Sequence, residues 1–509
     1  MCFWPEPRSR SGSCCWTGRI VERFGKVKAS DLAAARQSEL RFVRFARRKM
    51  VMVDLAKSAI SFSWAMSLFT VEQLANVAIP RDRNRPTRRA TAAFYPVTQA
   101  IEVELNSSDL LFASYLLGDD AQRVVVDFVF DTLTLRAFTP GYISKLSQDV
   151  CVQWRESRRV FSSAENIRLG WEELSNNYEV FTLVKNVNKL LHIPESGQDF
   201  DLGKLIEAAY ALGQFPDLWA VEGLGHDYAM TFWTNGKPIR GILSSGQAKA
   251  LPDKSLTMMH AGMGLAFAEQ LMNTVTPYSS AGQIQRTLGE FVTLVKDNAR
   301  KGYEGAAYES LGLVTRFWHS EMVPIVDRHM QEVEPEVVSY FWHGVGRSLY
   351  FLPVYLVPGL LSAWREVEQE PPSEMAKLNM MAGLAWATTI VDVRQPRIME
   401  TILKYYRDMI LETPGFTNGV MSTLIMGIDI TPDDSYILQF LGHRPSDPQV
   451  AELWDKLVGG PANEAVQRIH PVLKKHDCLG EVFRYQDLWK LAERLERGSQ
   501  TDRASSELM

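Results

Sequence analysis

The chain has 509 residues, of which 46% are hydrophobic and 23% are charged, as in an ordinary folded protein. This length exceeds what one core fills, so it predicts several domains or one elongated array. Residues 1–50 carry 12 Lys and Arg against 4 Asp and Glu, whereas the rest of the chain carries 43 against 56. Because phosphate neutralisation supplies most nucleic-acid affinity, the acidic body argues against nucleic-acid binding.

The beginning of the chain, residues 1–49, is basic and holds Cys2, Cys14 and Cys15 out of five cysteines. It lacks an apolar run of signal-peptide length, and the cysteines show no disulfide or zinc spacing. We therefore expect a disordered leader and a cytoplasmic protein. The methionines at 50 and 52 directly precede the first convincing apolar segment, which also suggests a translation start further downstream.

Residues 50–197 are predicted to form an N-terminal helical domain, because apolar residues recur at helical spacing until Pro80. The loop at 81–89 contains five arginines, which we interpret as a solvated connection; a site for a phosphate or an acidic partner is the alternative.

Two uncharged stretches, Ser58–Val71 and Ser348–Trp364, are too short to cross a bilayer. We expect both to form buried helices, with peripheral membrane contact as the alternative.

A short glycine motif recurs through residues 198–430. Its copies are EGLGHDYA from Glu222, AGMGLAFA from Ala261, EGAAYESL from Glu304, HGVGRSLY from His343, AGLAWATT from Ala382 and a degraded NGVMSTLI from Asn418. The first five copies are spaced by 39, 43, 39 and 39 residues, and the sixth follows after 36. A period near 40 accommodates two helices and two connections, which is typical of a helical-hairpin repeat.

These patterns predict an all-α protein with a solenoid-like helical-hairpin array of about 39-residue period at 198–430, preceded by the N-terminal helical domain. Short amphipathic helices are expected at 431–497 and a disordered tail at 498–509. A glycine inside a helix costs about 1 kcal/mol relative to alanine, so its recurrence indicates close approach of neighbouring backbones. A dinucleotide site needs a strand before the glycines, and several copies follow helical segments, so no cofactor is expected.

Polar residues four positions apart in three copies share a helix face. The pairs are Glu222 with His226, Glu304 with Tyr308, and His343 with Arg347; Asp227 and Glu309 lie next to two of them. Carboxylates, histidine and arginine in a groove suit acid–base work or anion binding. The alternative is that these side chains satisfy one another and fix the helix register.

A second cluster of potential ligands follows the third copy. His319, Glu321, Asp327 and His329 lie within eleven residues, but their spacing matches neither H-E-x-x-H nor the E-x-x-H of di-iron bundles. They are weak metal candidates, and we expect no metal.

The quoted motifs resemble those of an uncharacterised bacterial family associated with enediyne polyketide gene clusters, which repeats forms such as YEGAAM and QGIGRALWF. The matching elements here are YEGAAY from Tyr303 and HGVGRSLYF from His343, within roughly residues 215–400. Their order differs, because two further copies precede the YEGAA element in this chain. The resemblance implies a role in specialised metabolism and assigns no catalytic residue.

The sequence therefore predicts a binding or accessory protein whose groove accepts a protein partner or an apolar ligand. The alternative is an enzyme that acts on a lipid-like or polyketide-like substrate through the Glu, His and Arg pairs. An enzyme predicts an enclosed pocket ringed by Glu222, His226, Glu304 and Arg347. A binding protein predicts these side chains dispersed or paired with each other.

Overall fold

The structure is a computed structural model, and it describes residues 159–160, 163–193, 201–234, 239–352, 358–360 and 363–506. The expected leader 1–49, most of the expected domain 50–197 and the stretch Ser58–Val71 lie outside these residues. Within the described residues the regular structure is helical and contains no β-strand. The prediction of an all-α protein is confirmed.

The helices are numbered here in chain order. They are α1 Ala164–Lys185, α2 Val187–Leu190, α3 Leu202–Tyr210, α4 Pro216–Thr234, α5 Asp253–Met272, α6 Ala281–Asn298, α7 Glu304–Trp318, α8 Val323–Val333, α9 Val337–Phe351, α10 Ala363–Gln369, α11 Glu374–Val391, α12 Pro396–Tyr405, α13 Arg407–Leu411, α14 Gly415–Ile430, α15 Ser435–Gly442, α16 Pro448–Leu457, α17 Gly459–Glu464, α18 His470–Lys475 and α19 Leu488–Ser506. Short 3-10 turns cover Gly246–Ala250, Ser320–Met322 and Leu479–Phe483, and a π-helical turn covers Ala465–Ile469.

Several helix starts follow directly from local side-chain chemistry. The hydroxyls of Ser163, Ser280 and Ser373 accept hydrogen bonds from backbone N–H groups three residues later, at the starts of α1, α6 and α11. These groups have no partner within the helix, so the serine caps stabilise the first turns. Proline lies in the first turn of α8, α12, α16 and α18, where its missing N–H costs nothing.

Six helices carry the glycine motifs, and each of these glycine helices (α4, α5, α7, α9, α11 and α14) packs against the next. Two small residues, one from each helix, meet at every contact. The pairs are Gly225 with Gly262, Gly264 with Ser310, Gly312 with Gly344, Gly346 with Gly383, and Ala385 with Gly419. A methyl group at any of these glycines would lie less than 3.0 Å from backbone of the neighbouring helix. The recurrent glycines are therefore a packing device, of the small-residue kind that is common between membrane helices.

The α7 copy is in a different register from the one that the motif suggests. Gly305 faces the backbone of Gly480, whereas Ser310 and Gly312 face the neighbouring glycine helices. Small residues that face the preceding helix, from Gly262 through Ser310 and onward, consequently recur after 48, 34, 39 and 36 residues. The spacing varies because the length of the returning segment varies.

Consecutive glycine helices run in the same direction. Beyond the contact of Gly225 with Gly262, the rings of Trp233 and Phe267 approach to 6.5 Å further along both α4 and α5. Parallel neighbours need a segment that returns the chain to the starting end. The intervening helices α6 and α8 fill this role and pack against each other outside the glycine helices.

The last glycine helix returns to the first two. Just beyond α14, the hydroxyl of Thr431 donates to the Asp217 carboxylate at 2.6 Å, and its carbonyl accepts from Lys254 Nζ at 2.7 Å. Helix α14 also packs against α5. The six glycine helices therefore surround a common interior.

The structure places two helix ends differently from what the sequence led us to expect. The uncharged stretch Ser348–Trp364 does not form one helix, because α9 ends at Phe351 and α10 begins at Ala363. Helix α19 continues to Ser506 and so covers most of the segment 498–509 that was expected to be disordered. No Pro follows Leu488 to stop it. None of the described helices combines the length and the apolar character needed to cross a bilayer.

The close helix contacts predict that Gly344→Ala is destabilising. The added methyl group would clash with the backbone oxygen of Glu309, which only movement of α7 relieves, at about 1–3 kcal/mol. Gly289→Ala is the matched control, because the nearest atom to its methyl group is Val333 Cγ1 at 3.9 Å. This control should gain up to about 1 kcal/mol in helix propensity. Urea unfolding of both variants measures the difference, and equal stabilities would contradict the packing role.

Candidate functional site

Three glycine helices contribute charged side chains to the common interior. Arg347 of α9 donates from Nη2 to Glu222 Oε1 of α4 at 2.7 Å, and from Nη1 to Glu309 Oε2 of α7 at 2.9 Å. His343 Nδ1 lies 2.7 Å from the other oxygen of Glu309. All four side chains are at most 3% exposed. We call these four residues the interior network.

The register of the small residues places these groups together. Glu222, Glu309 and His343 each precede a small residue, at 223, 310 and 344, and Arg347 lies one turn after His343 on the same face. The motif spacing in the sequence had indicated Glu304 as the polar carboxylate of the α7 copy. The S-x-G spacing of Ser310 and Gly312 was the signal that points to Glu309.

Charge pairing governs ionisation in the interior network. Burial alone would raise the pKa of Glu309, but Arg347 and His343 outweigh it and lower that pKa below its ordinary value. Burial likewise opposes the charge of Arg347, yet Glu222 and Glu309 hold its pKa above the ordinary value. The network is therefore a buried ion cluster whose members stabilise each other's charges.

One side of the interior network packs on an aromatic ring. The guanidinium carbon of Arg347 lies 4.6 Å from the centroid of the Trp386 ring, on the next glycine helix. Such a cation–π contact stabilises a desolvated arginine. The sequence grouped Trp386 with the apolar copies, although its position matches that of Arg347. Two polar atoms, His343 Nε2 and Arg347 Nε, form no hydrogen bond within the described part of the chain.

The first expected pair, Glu222 with His226, separates, because His226 lies outside the interior network. Its Nδ1 is 3.1 Å from Asp227 Oδ1, and its Nε2 is 3.1 Å from Glu269 Oε2 of α5. Burial alone would lower the pKa of His226, but hydrogen bonds to both carboxylates raise it to about 9. His226 is therefore a cation that ties α4 to α5 near the surface. The sequence did not identify Glu269, which belongs to another helix.

The second expected pair, Glu304 and Tyr308, lines a half-open groove of about 360 Å³. The groove lies between the starts of α7 and α9 and the turn that contains Leu479–Phe483. Glu304 accepts a hydrogen bond from the Gly302 N–H at 2.7 Å. Tyr308 packs against Tyr340 with 5.8 Å between ring centroids. The groove is of ligand-binding size, and eight of its fifteen lining residues are charged.

The four weak metal candidates do not converge. Asp327 is buried and accepts from Trp342 Nε1 at 2.7 Å, whereas His329 lies 3.4 Å from Glu332. Burial lowers the pKa of His319, which does not join them, and Glu321 is exposed. Over the described residues no group of three or more His, Cys, Asp or Glu side chains is placed to hold a metal ion.

A buried acidic cluster that the sequence did not suggest lies where α1 meets α9 and α11. Glu173 accepts hydrogen bonds from the N–H groups of Gly359 and Leu360, and Asp392 accepts from the hydroxyl of Tyr350 at 2.7 Å. Burial and the neighbouring Asp392 raise the pKa of Glu173 well above its ordinary value. Burial also raises the pKa of Asp392 to about 7. These groups come from four separate segments, so no local pattern marks them.

The interior network predicts a reversal of pH dependence in Arg347→Met. In the native protein Glu309 contributes stability above its ordinary pKa of 4.5, and this contribution disappears as the pH falls through the lowered value. Without Arg347, burial raises the pKa of Glu309, so acidification should stabilise the variant. At pH 7 the variant should lose about 3–5 kcal/mol because two carboxylates stay buried without their cation.

Urea unfolding from pH 7 down to about pH 3 measures both quantities, because the native loss occurs below 4.5. Arg168→Met removes an exposed arginine that pairs with Glu165 and Glu172, and this control should change stability far less. A small loss for Arg347→Met, with no reversal, would show that water reaches the network.

The pairing of His226 predicts its titration. Its contribution to stability is complete below the ordinary pKa of 6.5 and is lost as the pH rises through about 9. NMR of ring-labelled histidine should show a late-titrating signal that disappears in His226→Gln. In Glu269→Gln the pKa should fall towards 6.5, and an unchanged value would rule out the bond between α4 and α5.

Comparison of the chain with protein-family models, with curated proteins and with solved structures gave no match. The resemblance to the glycine-motif family thus remains an expectation from the quoted motifs. The contacts of the described residues carry the functional argument.

Proposed function

We propose that this chain is a binding or accessory protein and that the interior network is structural. One observation carries the proposal: Glu222 is bonded to Arg347 in a buried interior, where both side chains are 3% exposed, instead of facing an open pocket. Glu304 and His226, the other two members of the expected pocket, lie in separate places. This is the arrangement of dispersed or mutually paired side chains that a binding protein predicts.

Accessibility supports the same proposal. A general acid or base must reach the proton that it transfers, directly or through one water molecule. His343 and Glu309 are 0% exposed. Both ion pairs of Arg347 are made to carboxylates within the protein. An enzyme that used these residues would first have to separate glycine helices held by backbone contact.

The groove beside Glu304 and Tyr308 is the place where we propose that a ligand binds. Its lining is rich in charged side chains, which favours a polar ligand over the apolar one expected from the sequence. The helical-hairpin array with a variable period, the cytoplasmic location and the role in specialised metabolism belong to this proposal as well. The lipid- or polyketide-directed enzyme is the alternative that the following experiment tests.

Exchange of the histidine C2 hydrogen for deuterium in the full chain, followed by peptide mass spectrometry, tests the proposal. The imidazole of His343 should exchange far more slowly than that of His192, which is exposed. Its rate should rise when Gly344→Ala loosens the helix contact. Rapid exchange of His343 in the native protein would contradict a closed network and favour the enzyme.

A further inference from the structure

The groove beside Glu304 and Tyr308 carries an excess of negative charge. Its lining includes five carboxylates and three cationic side chains. Two of the cations are already neutralised: Lys296 lies 2.5 Å from Glu334, and Arg484 lies 2.6 Å from Glu481. The remaining carboxylates are those of Glu304, Glu336 and Asp477, and the remaining cation is Lys301.

Tyr308 places a phenol at the same groove. The residue is 8% exposed and lines the groove, and its hydroxyl, which is not fully buried, forms no hydrogen bond to another described residue. Burial raises the pKa of this hydroxyl, and the charges of Glu304, Glu334 and Glu336 raise it further. The phenol is therefore a neutral group in a negative potential, with an oxygen free to accept a hydrogen bond.

One cationic side chain of the protein, that of Arg484, already lies over an aromatic ring in the groove. The guanidinium carbon of Arg484 lies 5.0 Å from the centroid of the Tyr340 ring, and Glu481 accepts both its Nε and Nη2 hydrogens. Tyr340 in turn donates to the other oxygen of Glu481 at 3.1 Å. Tyr308 and Glu336 line the groove together with this arrangement.

We propose that the groove binds a small organic cation, a primary amine whose ammonium group lies between Tyr308, Glu304 and Glu336. The aromatic rings of Tyr308 and Tyr340 would cover its apolar part, and the ammonium would donate to the phenol oxygen and the carboxylates. This inference rests on the proposed binding function and names its ligand class.

Two features of the groove could favour an anion, but carboxylates in the groove oppose both. The start of α7 presents the positive end of a helix dipole, but Glu304 lies in its first turn and its carboxylate accepts the Gly302 N–H. Lys301 is exposed and faces the three carboxylates Glu304, Glu336 and Asp477, so it cannot reverse their charge.

Cys478 lines the same groove and reports its potential. Burial raises the pKa of its thiol, and Glu481 and Asp477 raise it further. The probes are a trimethylammonium and a sulfonate methanethiosulfonate, which form the same kind of disulfide but carry opposite charges. Clefts of one sign concentrate counter-ions about 10- to 1000-fold. We expect the cationic reagent to modify Cys478 at least about tenfold faster, relative to the ratio on N-acetylcysteine.

Peptide mass spectrometry of the full chain reads the modification at Cys478 alone. Glu336→Gln should reduce the preference for the cationic reagent, whereas Glu207→Gln, an exposed carboxylate on α3, should leave it unchanged. Equal rates for the two reagents, or a faster sulfonate, would overturn the inference.

Calorimetry with three matched ligands tests binding directly: phenethylamine, 2-phenylethanol and phenylacetate. We expect the amine to bind, and Tyr308→Phe to weaken it about tenfold by removing a hydrogen bond to a charged group. The phenylalanine ring keeps the packing with Tyr340, and unfolding temperatures confirm that the variant folds. A capped Gly-Lys-Gly peptide should bind more weakly than the amine; equal binding would indicate the lysine of a protein partner instead of a free amine.

The outcomes separate the two proposals. If phenylacetate or phenylethanol binds in place of the amine and Tyr308→Phe weakens it, the ligand class is wrong and the binding function stands. If none of the three binds, the ligand class is likewise rejected. The binding function itself is rejected by rapid exchange at His343, which these ligands do not influence.

Discussion

Close approach of helix backbones is the constraint on which the rest of this structure depends. A helix that presents glycine to its neighbour lets the two axes come nearer than larger side chains permit, and neighbouring backbone atoms then contact directly. Five such contacts in succession join the six glycine helices. Because the helices are close, side chains that point away from the contacts meet across a narrow interior. Charged groups there are buried, and their bonds are made mainly to one another.

The interior network is the result of this constraint. Each charged group is expensive to bury alone, and the cluster is tolerable because Arg347 bonds to two carboxylates from different helices. A slip of one residue along either helix would separate an acid from the guanidinium. The network therefore specifies register, while the small residues supply proximity. On our proposal, this buried charge cluster serves the architecture, and the groove charges serve a ligand.

The sequence was informative about local structure and less so about contacts between distant segments. Helical periodicity and the absence of alternating strands predicted the all-α class, and the small-residue spacing predicted close packing. Glu222, His343 and Arg347 were identified as important because they occupy a repeated position. Glu269 and Trp386 were missed because their roles depend on side chains of another helix. The α7 register was misassigned because Gly305 matched the motif better than Ser310 did, although only three-dimensional packing decides which small residue faces a neighbour.

The bond between Glu222 and Arg347 also has a consequence for biosynthesis. The two residues are 125 positions apart, and a ribosome adds about 5–20 residues per second. For several seconds the emerging segment α4 to α7 thus has two carboxylates facing inward and no guanidinium to receive them. During that interval hydration of these carboxylates opposes collapse of the segment upon itself. We therefore expect the bonds of the interior network to form only after Arg347 has been synthesised.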